Sequence, residues 1–282
     1  MVKIISDSTC DLSQELIKKY DISILPLHIL LGEKEFKDGF NITPDEIYTW
    51  ADANKTTPKT SAAALSDAID IMQPYADAGQ DIVCFSISQT MSTNYNVLNL
   101  AANEFDNVNV YVIDSANLST GIGLLVIEAA IMAKEGKSGK EIFDRIETLK
   151  PLVKASFVVD TLTYLHRGGR CSGVAAIAGS VMKLHPMIAV ENGKMEATKK
   201  YRGKIEKVIL DYVKDLEDKL KNAMPERVFI THSGCDDTII DSVKEHLQSL
   251  NIFDEIHVTR AGGVVSSHCG PGTLGVLFIS KN

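Results

Sequence analysis

Short apolar runs alternate with longer segments over the first 135 residues. The apolar runs predict buried strands at residues 2–6, 82–86 and 110–114, and the longer segments predict helices that end near residues 20, 103 and 135. Asp11 precedes the first of these helices and is its predicted N-cap. Strands that alternate with helices form parallel sheets, whose ligands bind beyond the carboxyl ends of the strands. The polar residues that follow the strands are therefore the first candidates for a site.

Two further signals lie between the first and second predicted strands. Residues 22–31 and 34–36 predict strands joined by a turn at Gly32-Glu33. Thr43-Pro44-Asp45-Glu46 predicts the start of a helix, because proline is favoured in a first turn.

The pattern changes after Lys150-Pro151. Asn192-Gly193 stands between alternating segments at residues 187–190 and 194–199, which is a strong hairpin signal. Also predicted are strands at residues 155–159, 228–231 and 255–258, helices at 205–222 and 237–250, and a glycine-rich turn at 167–173. We therefore predict an α/β fold of two domains: an N-terminal three-layer α/β domain with a mostly parallel sheet, residues 1–153, and a smaller C-terminal α+β domain, residues 154–282.

Composition and charge exclude several classes of protein. Hydrophobic residues make up 45% of the chain, as in a globular protein, and the net charge of −8 argues against nucleic acid as a partner. Asp7 follows the amino terminus too closely for a secretory signal, and Glu128 interrupts the apolar stretch at residues 121–133. The five cysteines are scattered, which argues against a zinc site or a disulfide framework. We expect a cytoplasmic protein without a metal.

Four polar clusters carry the candidate chemistry. They are Lys59-Thr60-Ser61, residues 86–92, Arg167-Gly168-Gly169-Arg170 and residues 266–272. Hydroxyl groups at helix starts are commonly caps, yet two such clusters could also converge on one anion. The arginines, together with Lys199, Lys200, Arg202 and Lys204, would form a basic patch suited to a phosphate or an acidic partner if the fold brings them together.

Two segments contain a histidine beside a nucleophile. His268-Cys269-Gly270-Pro271-Gly272 allows a plain turn, a Cys-His pair or a ligand-facing histidine, and an extended segment would point the pair to opposite faces. His232-Ser233-Gly234-Cys235 suggests a serine hydrolase but lacks the glycines of a nucleophile elbow. Neither a P-loop, a GxGxxG turn nor an HExxH helix occurs in the sequence.

A set of spaced segments resembles the DegV family over essentially the whole chain. The segments are Asp7-Ser8-Thr9, Lys59-Thr60-Ser61, Val112-Ile113-Asp114-Ser115 before Gly121-Ile122-Gly123, Gly168-Gly169-Arg170 and His268-Cys269-Gly270-Pro271-Gly272. The resemblance implies a two-domain α/β protein that encloses a long-chain fatty acid, of the palmitate or oleate type, between its domains. It also implies a lipid-binding subunit without catalysis or cofactor, whose bound acid a separate ATP-dependent fatty-acid kinase converts to an acyl phosphate. Transient contact with a membrane surface is compatible with that role.

The resemblance assigns roles to individual residues. It implies that Thr60, Ser61 and Ser92 hold the carboxylate with His268 beside it, and that Arg170 and Arg202 serve phosphate transfer or docking to the kinase. The chain has Ala62-Ala63 where the family usually has Gln-Pro, and Ser92-Thr93-Asn94-Tyr95 where it has Ser-Gly-Thr-Tyr. The alternative is an acyl hydrolase that uses Cys269 with His268, or Ser233 with His232.

Overall fold

The structure is a computed structural model that describes residues 2–169 and 184–282, together with the backbone of Cys171 and Ser172. Its strands are β1 (Lys3–Asp7), β2 (Ser23–Leu25), β3 (His28–Leu31), β4 (Lys34–Lys37), β5 (Lys59–Ser61), β6 (Ile82–Ser86), β7 (Val110–Asp114), β8 (Val153–Val158), β9 (Cys171–Ser172), β10 (Leu184–Glu191), β11 (Lys194–Arg202), β12 (Ala223–His232), β13 (Glu255–Arg260) and β14 (Leu274–Ser280). Its helices are α1 (Gln14–Tyr20), α2 (Pro44–Asn54), α3 (Leu65–Asp77), α4 (Asn94–Ala102), α5 (Thr120–Lys134), α6 (Gly139–Leu149), α7 (Thr163–Gly168), α8 (Ile205–Asp215), α9 (Glu217–Leu220), α10 (Asp237–Ser249) and α11 (Gly263–Cys269).

A four-stranded parallel sheet forms the first layer, in the order β2-β1-β6-β7. The three apolar runs predicted as strands are confirmed as β1, β6 and β7. The predicted cap of α1 is wrong, because Ser13 accepts the capping hydrogen bond from Leu16 N. Asp11 instead has a left-handed backbone and its buried carboxylate binds residues far away in the sequence. Local sequence does not contain those partners.

A three-stranded antiparallel sheet has the order β4-β3-β5. The hairpin at Gly32-Glu33 is confirmed, but the single strand predicted over residues 22–31 is two strands. Pro26 lies between them and has no backbone N–H to donate, so β2 joins the parallel sheet while β3 joins this one. The predicted helix start at Thr43 is confirmed, with a capping box between Thr43 and Glu46.

A seven-stranded mixed sheet has the order β13-β12-β14-β8-β10-β11-β9 within the described residues. The turn at Asn192-Gly193 is confirmed, with φ of 50° and 78° as a tight hairpin turn requires. Three predictions differ from the structure. The helix predicted over residues 205–222 is divided into α8 and α9, Arg167 and Gly168 end helix α7 instead of lying in a turn, and His268 and Cys269 belong to helix α11 instead of an extended segment.

Helix α5 packs between the parallel and the mixed sheets and is buried along most of its length. Its apolar residues join the largest hydrophobic core, which contains side chains from both halves of the chain. The mixed α/β fold, with one parallel and one mixed sheet, agrees with the predicted class. The predicted domain boundary at residues 153 and 154 falls at the start of β8, and the division itself stays a prediction. Among the described helices, none is both long and apolar enough to cross a membrane.

Candidate functional site

A cavity of about 830 Å³ is lined by both halves of the chain. All four residues expected to surround a carboxylate, namely Thr60, Ser61, Ser92 and His268, line this cavity. Much of the remaining wall is apolar and includes Leu27, Ile87, Met91, Leu118, Val264 and Val265. One cavity therefore combines a cluster of polar groups with a surface suited to a hydrocarbon chain.

Thr60 is positioned by the antiparallel sheet, where it lies opposite Ile29 of β3. Its hydroxyl Oγ1 lies 2.8 Å from Nε2 of His268, so a hydrogen bond joins residues 208 positions apart. Ser61 follows Thr60 on β5 and is exposed at the cavity. The cluster at Lys59-Thr60-Ser61 and the histidine of the fourth cluster are thus brought together.

His268 is held on the short helix α11, whose first turn is anchored by two carboxylates. Gly262 N donates to Asp11 Oδ1 at 2.8 Å, and Gly263 N donates to Asp38 Oδ1 at 2.7 Å. A Cβ atom on Gly168 would collide with Nδ1 of His268, so only glycine allows α7 to approach the imidazole this closely. Backbone anchors and close packing together fix the position of the ring.

Ser92 lies in the loop that follows β6. Its Oγ accepts a hydrogen bond from Asn94 N at 3.2 Å, which leaves the hydroxyl proton able to point elsewhere. Buried Asn94 donates through Nδ2 to Asp7 at 3.0 Å and accepts from Ala63 N at 3.3 Å. The two places where the chain departs from the family pattern, at Ala62-Ala63 and at Thr93-Asn94, are therefore linked by a hydrogen bond.

Three buried aspartates support the loops and the helix around the cavity. Burial raises the pKa of Asp7 to about 6 and that of Asp11 to about 8, and it also raises the pKa of Asp38. Asp7 accepts hydrogen bonds from Thr9 and from Ile87 N, and Asp38 accepts from Ser8 Oγ. Asp7 belongs to a motif noted in the sequence, but its supporting role was not predicted, and neither was that of Asp38. The polar motif Asp7-Ser8-Thr9, directly after the first strand, is the signal from which the role of Asp7 could have been predicted.

The predicted basic patch is only partly described. Arg170 lies outside the described residues. Arg202 is exposed at the end of β11, and it is not among the described residues that line the cavity. Lys199, on the same strand, forms an ion pair with Asp215. A different cation, Lys194, lies at the cavity and was not predicted.

In the predicted pair of Ser233 and His232, each side chain forms hydrogen bonds with the backbone. The buried Ser233 hydroxyl donates to the carbonyl of Gly270, and its oxygen accepts from Thr273 N at 3.3 Å. Nδ1 of His232 accepts from Cys235 N at 3.3 Å, and burial lowers the pKa of His232. Ser233 therefore gives its proton to the backbone instead of to His232.

The fold and the site together define a class of protein: a mixed α/β protein with an amphipathic cavity lined by both halves of the chain. The family model described as "Uncharacterised protein, DegV family" matches residues 1–281. The chain belongs to the DegV family.

Similarity to other members extends over nearly the whole chain. A DegV domain-containing protein of Clostridium acetobutylicum is 32% identical over 283 residues, which cover 99% of each protein. The structure of a fatty-acid-binding DegV family protein from Thermus thermophilus is 28% identical, with a TM-score of 0.91 and 99% of both chains covered. A stearic-acid-binding protein from Eubacterium ventriosum is 29% identical, with a TM-score of 0.87, covering 100% of this chain and 99% of that one.

Proposed function

We propose that this protein binds one long-chain fatty acid in the cavity, between domains formed by residues 1–153 and 154–282. Thr60, Ser61 and Ser92 hold the carboxylate, and His268 lies beside it. The observation that carries the proposal is the Thr60–His268 hydrogen bond of 2.8 Å in the wall of a cavity that is also lined by apolar side chains. The fatty acid and the stearic acid bound by the relatives from Thermus and Eubacterium support the choice of ligand.

The hydrocarbon tail supplies most of the affinity in this account. Fourteen methylenes that leave water at about 0.8 kcal/mol each contribute on the order of 10 kcal/mol before the costs of ordering and association. The polar groups then fix the register and orientation of the head group. Removing one of them should weaken binding modestly.

The donors at the head group suit a further chemical role. Hydroxyl groups are neutral, so they orient the carboxylate without locking it in a tight ion pair, and its oxygen stays available to attack a phosphoryl group. We therefore propose that the protein is cytoplasmic, catalyses no reaction alone and presents the acid to a separate ATP-dependent kinase. Arg170 and Arg202 serve phosphate transfer or docking in this proposal.

Substitution of Thr60 tests the head-group assignment. We expect Thr60→Val to weaken binding of palmitate by at least about tenfold, because one hydrogen bond to a charged group contributes about 1.5–3 kcal/mol. Binding of methyl palmitate, which has no carboxylate, should change far less. Competition with a fluorescent fatty acid on delipidated protein measures both, and Thr198→Val on β11 is the matched control. Equal losses for acid and ester would contradict the assignment.

The proposed presentation to a kinase has its own test. With a bacterial fatty-acid kinase and ATP, we expect Thr60→Ala and Ser92→Ala to retain part of the lipid but to lose most acyl phosphate formation. Arg202→Ala should keep lipid binding and lose phosphorylation, since Arg202 is exposed and lies apart from the described cavity wall. Unchanged phosphorylation in all three variants would exclude the proposed role.

A further inference from the structure

Lys194 places a positive charge at the proposed lipid cavity. Of the described residues that line this cavity, Lys194 is the only lysine or arginine, and none is an aspartate or a glutamate. Lys194 is exposed, and within the described part of the chain no ion pair joins it to another residue. Its ammonium group is therefore open to an anion that reaches the cavity from solvent.

The backbone is fixed on both sides of Lys194. Gly193 is buried, and its carbonyl accepts hydrogen bonds from Ser88 Oγ at 2.8 Å and from Thr90 Oγ1. Met195 is 4% exposed, belongs to the largest hydrophobic core and pairs with strand β9. Lys194 therefore extends from a firmly held position in the cavity wall.

The polar groups of the cavity lie at two depths. Three of the four groups assigned to the carboxylate, Thr60, Ser92 and His268, are half-buried, whereas Thr90 and Lys194 are exposed. Thr90 lies two residues before Ser92, and its hydroxyl donates to the carbonyl that directly precedes Lys194. Lys194 therefore lies at the head-group end of the cavity, on the solvent side of the groups that hold the carboxylate.

Phosphorylation of the bound acid would change the charge at this end of the cavity. A carboxylate oxygen bonds to the γ-phosphorus of the ATP held by the kinase, the bond from that phosphorus to its bridging oxygen breaks, and ADP leaves with the electron pair. The head group changes from one negative charge to about two. The added phosphoryl group lies on the solvent side, from which the kinase delivers it. Neutral hydroxyls can orient a carboxylate, but a cation stabilises the added charge of a phosphate more strongly.

We propose that Lys194 binds the phosphoryl group of the acyl phosphate, so that the cavity takes a lipid dianion as well as the free acid. The inference rests on the proposed function and adds to it the residue that distinguishes the product from the substrate. A lysine suits this role because its ammonium group is a compact charge on a flexible stem, with three donors that rotate to meet phosphate oxygens.

Substitution of Lys194 tests the assignment with two lipids. In Lys194→Met, we expect the affinity for the β-ketophosphonate analogue of palmitoyl phosphate, in which a methylene replaces the bridging oxygen, to fall about tenfold. The affinity for palmitate should change less than about threefold. Lys194→Arg keeps the charge, so it should bind the phosphonate within about threefold of the wild type. Competition with a fluorescent fatty acid on delipidated protein measures all three, at a pH where the phosphonate is doubly ionised.

A second lysine of the same strand is the matched control. Lys200 is exposed on β11 and is not among the described residues that line the cavity. Lys200→Met removes the same charge from the protein and should leave both affinities unchanged. The ³¹P resonance of the bound phosphonate gives a readout that a merely structural role would not move. It should shift in Lys194→Met and stay at its wild-type position in Lys200→Met.

The outcomes separate this inference from the proposed function. Equal losses of affinity for palmitate and the phosphonate in Lys194→Met would show that Lys194 does not distinguish them, and would overturn the inference while leaving fatty-acid binding intact. Equal losses for the phosphonate in Lys194→Met and Lys200→Met would assign the effect to the overall charge of the protein and would also overturn it. Wild-type protein that binds palmitate but not the phosphonate would do the same. Wild-type protein that binds neither lipid would contradict the proposed function, on which the inference rests.

Discussion

At the scale of single residues, Asp11 is the position where local sequence was most misleading. Its place before a helix is typical of a cap, but its carboxylate accepts from Ser119 Oγ and from Gly262 N. Thr60, Ser61 and Ser92 were easier to associate with a cavity because they lie in polar clusters beside predicted strands and helices. The partners of Asp11 are 108 and 251 positions away, so no local pattern contains them.

The raised pKa values of the buried aspartates predict a dependence of stability on pH. Unfolded carboxyl groups titrate near pH 4, whereas Asp7 and Asp11 titrate at about 6 and about 8 in the folded protein. The folded state therefore binds more protons in this window, and the free energy of unfolding should fall as pH rises from about 4 to 8. Urea denaturation at a series of pH values measures the trend.

The variant Asp11→Asn tests how much of the fall in the free energy of unfolding is due to Asp11. The amide keeps an acceptor for Gly262 N but does not ionise, so the fall in stability between about pH 6 and 8 should become shallower. Asp144→Asn, on the exposed face of α6, should leave the slope unchanged. A slope for Asp11→Asn that is parallel to that of the wild type would show that Asp11 does not bind the extra proton.

At the scale of elements, regular hydrophobic patterns predicted strands and helices well. An element that is held by contacts distant in the sequence was not predicted. Strands β6 and β7 are apolar runs flanked by turns, so their bounds follow from local sequence. Helix α11 was missed because Gly262 and Gly263 disfavour a helix locally and are held by Asp11 and Asp38. A Cβ on Gly263 would also lie 2.6 Å from the side chain of Ile29, so close packing requires glycine at this position and the glycine does not mark a turn.

The attachment of α5 to the mixed sheet gives a prediction at this scale. Glu128 of α5 forms an ion pair with Arg227 of β12, whose side chain is 8% exposed. Glu128→Gln leaves a buried guanidinium without its carboxylate, so we expect a loss of about 3 kcal/mol in the free energy of unfolding. Glu128→Leu/Arg227→Met should lose less, because neither charge then stays buried alone.

A surface ion pair is the control for this prediction. Lys140 pairs with Asp144 on α6, where both side chains are more than half exposed. Lys140→Met should cost less than about 1 kcal/mol. Urea denaturation compares the variants, and a loss for Glu128→Gln as small as that for Lys140→Met would contradict a structural role for the buried pair.

At the scale of the whole molecule, the alternation of strands and helices predicted the α/β class but could not locate the cavity wall. Leu118 and Val265 line the same cavity from opposite halves of the chain. Their periodicity is that of ordinary core residues, so only the fold distinguishes a lining side chain from a packed one. Chain-length preference depends on these lining residues and is likewise a property of the assembled molecule.

Native mass spectrometry of the purified protein, followed by denaturing lipid extraction, tests the central claim most directly. We predict a mass increase that corresponds to one fatty acid per chain, and an extracted acid of about sixteen to eighteen carbons, similar in length to the stearic acid of the Eubacterium relative. A chain that carries no lipid and takes up neither added palmitate nor added oleate would contradict the account.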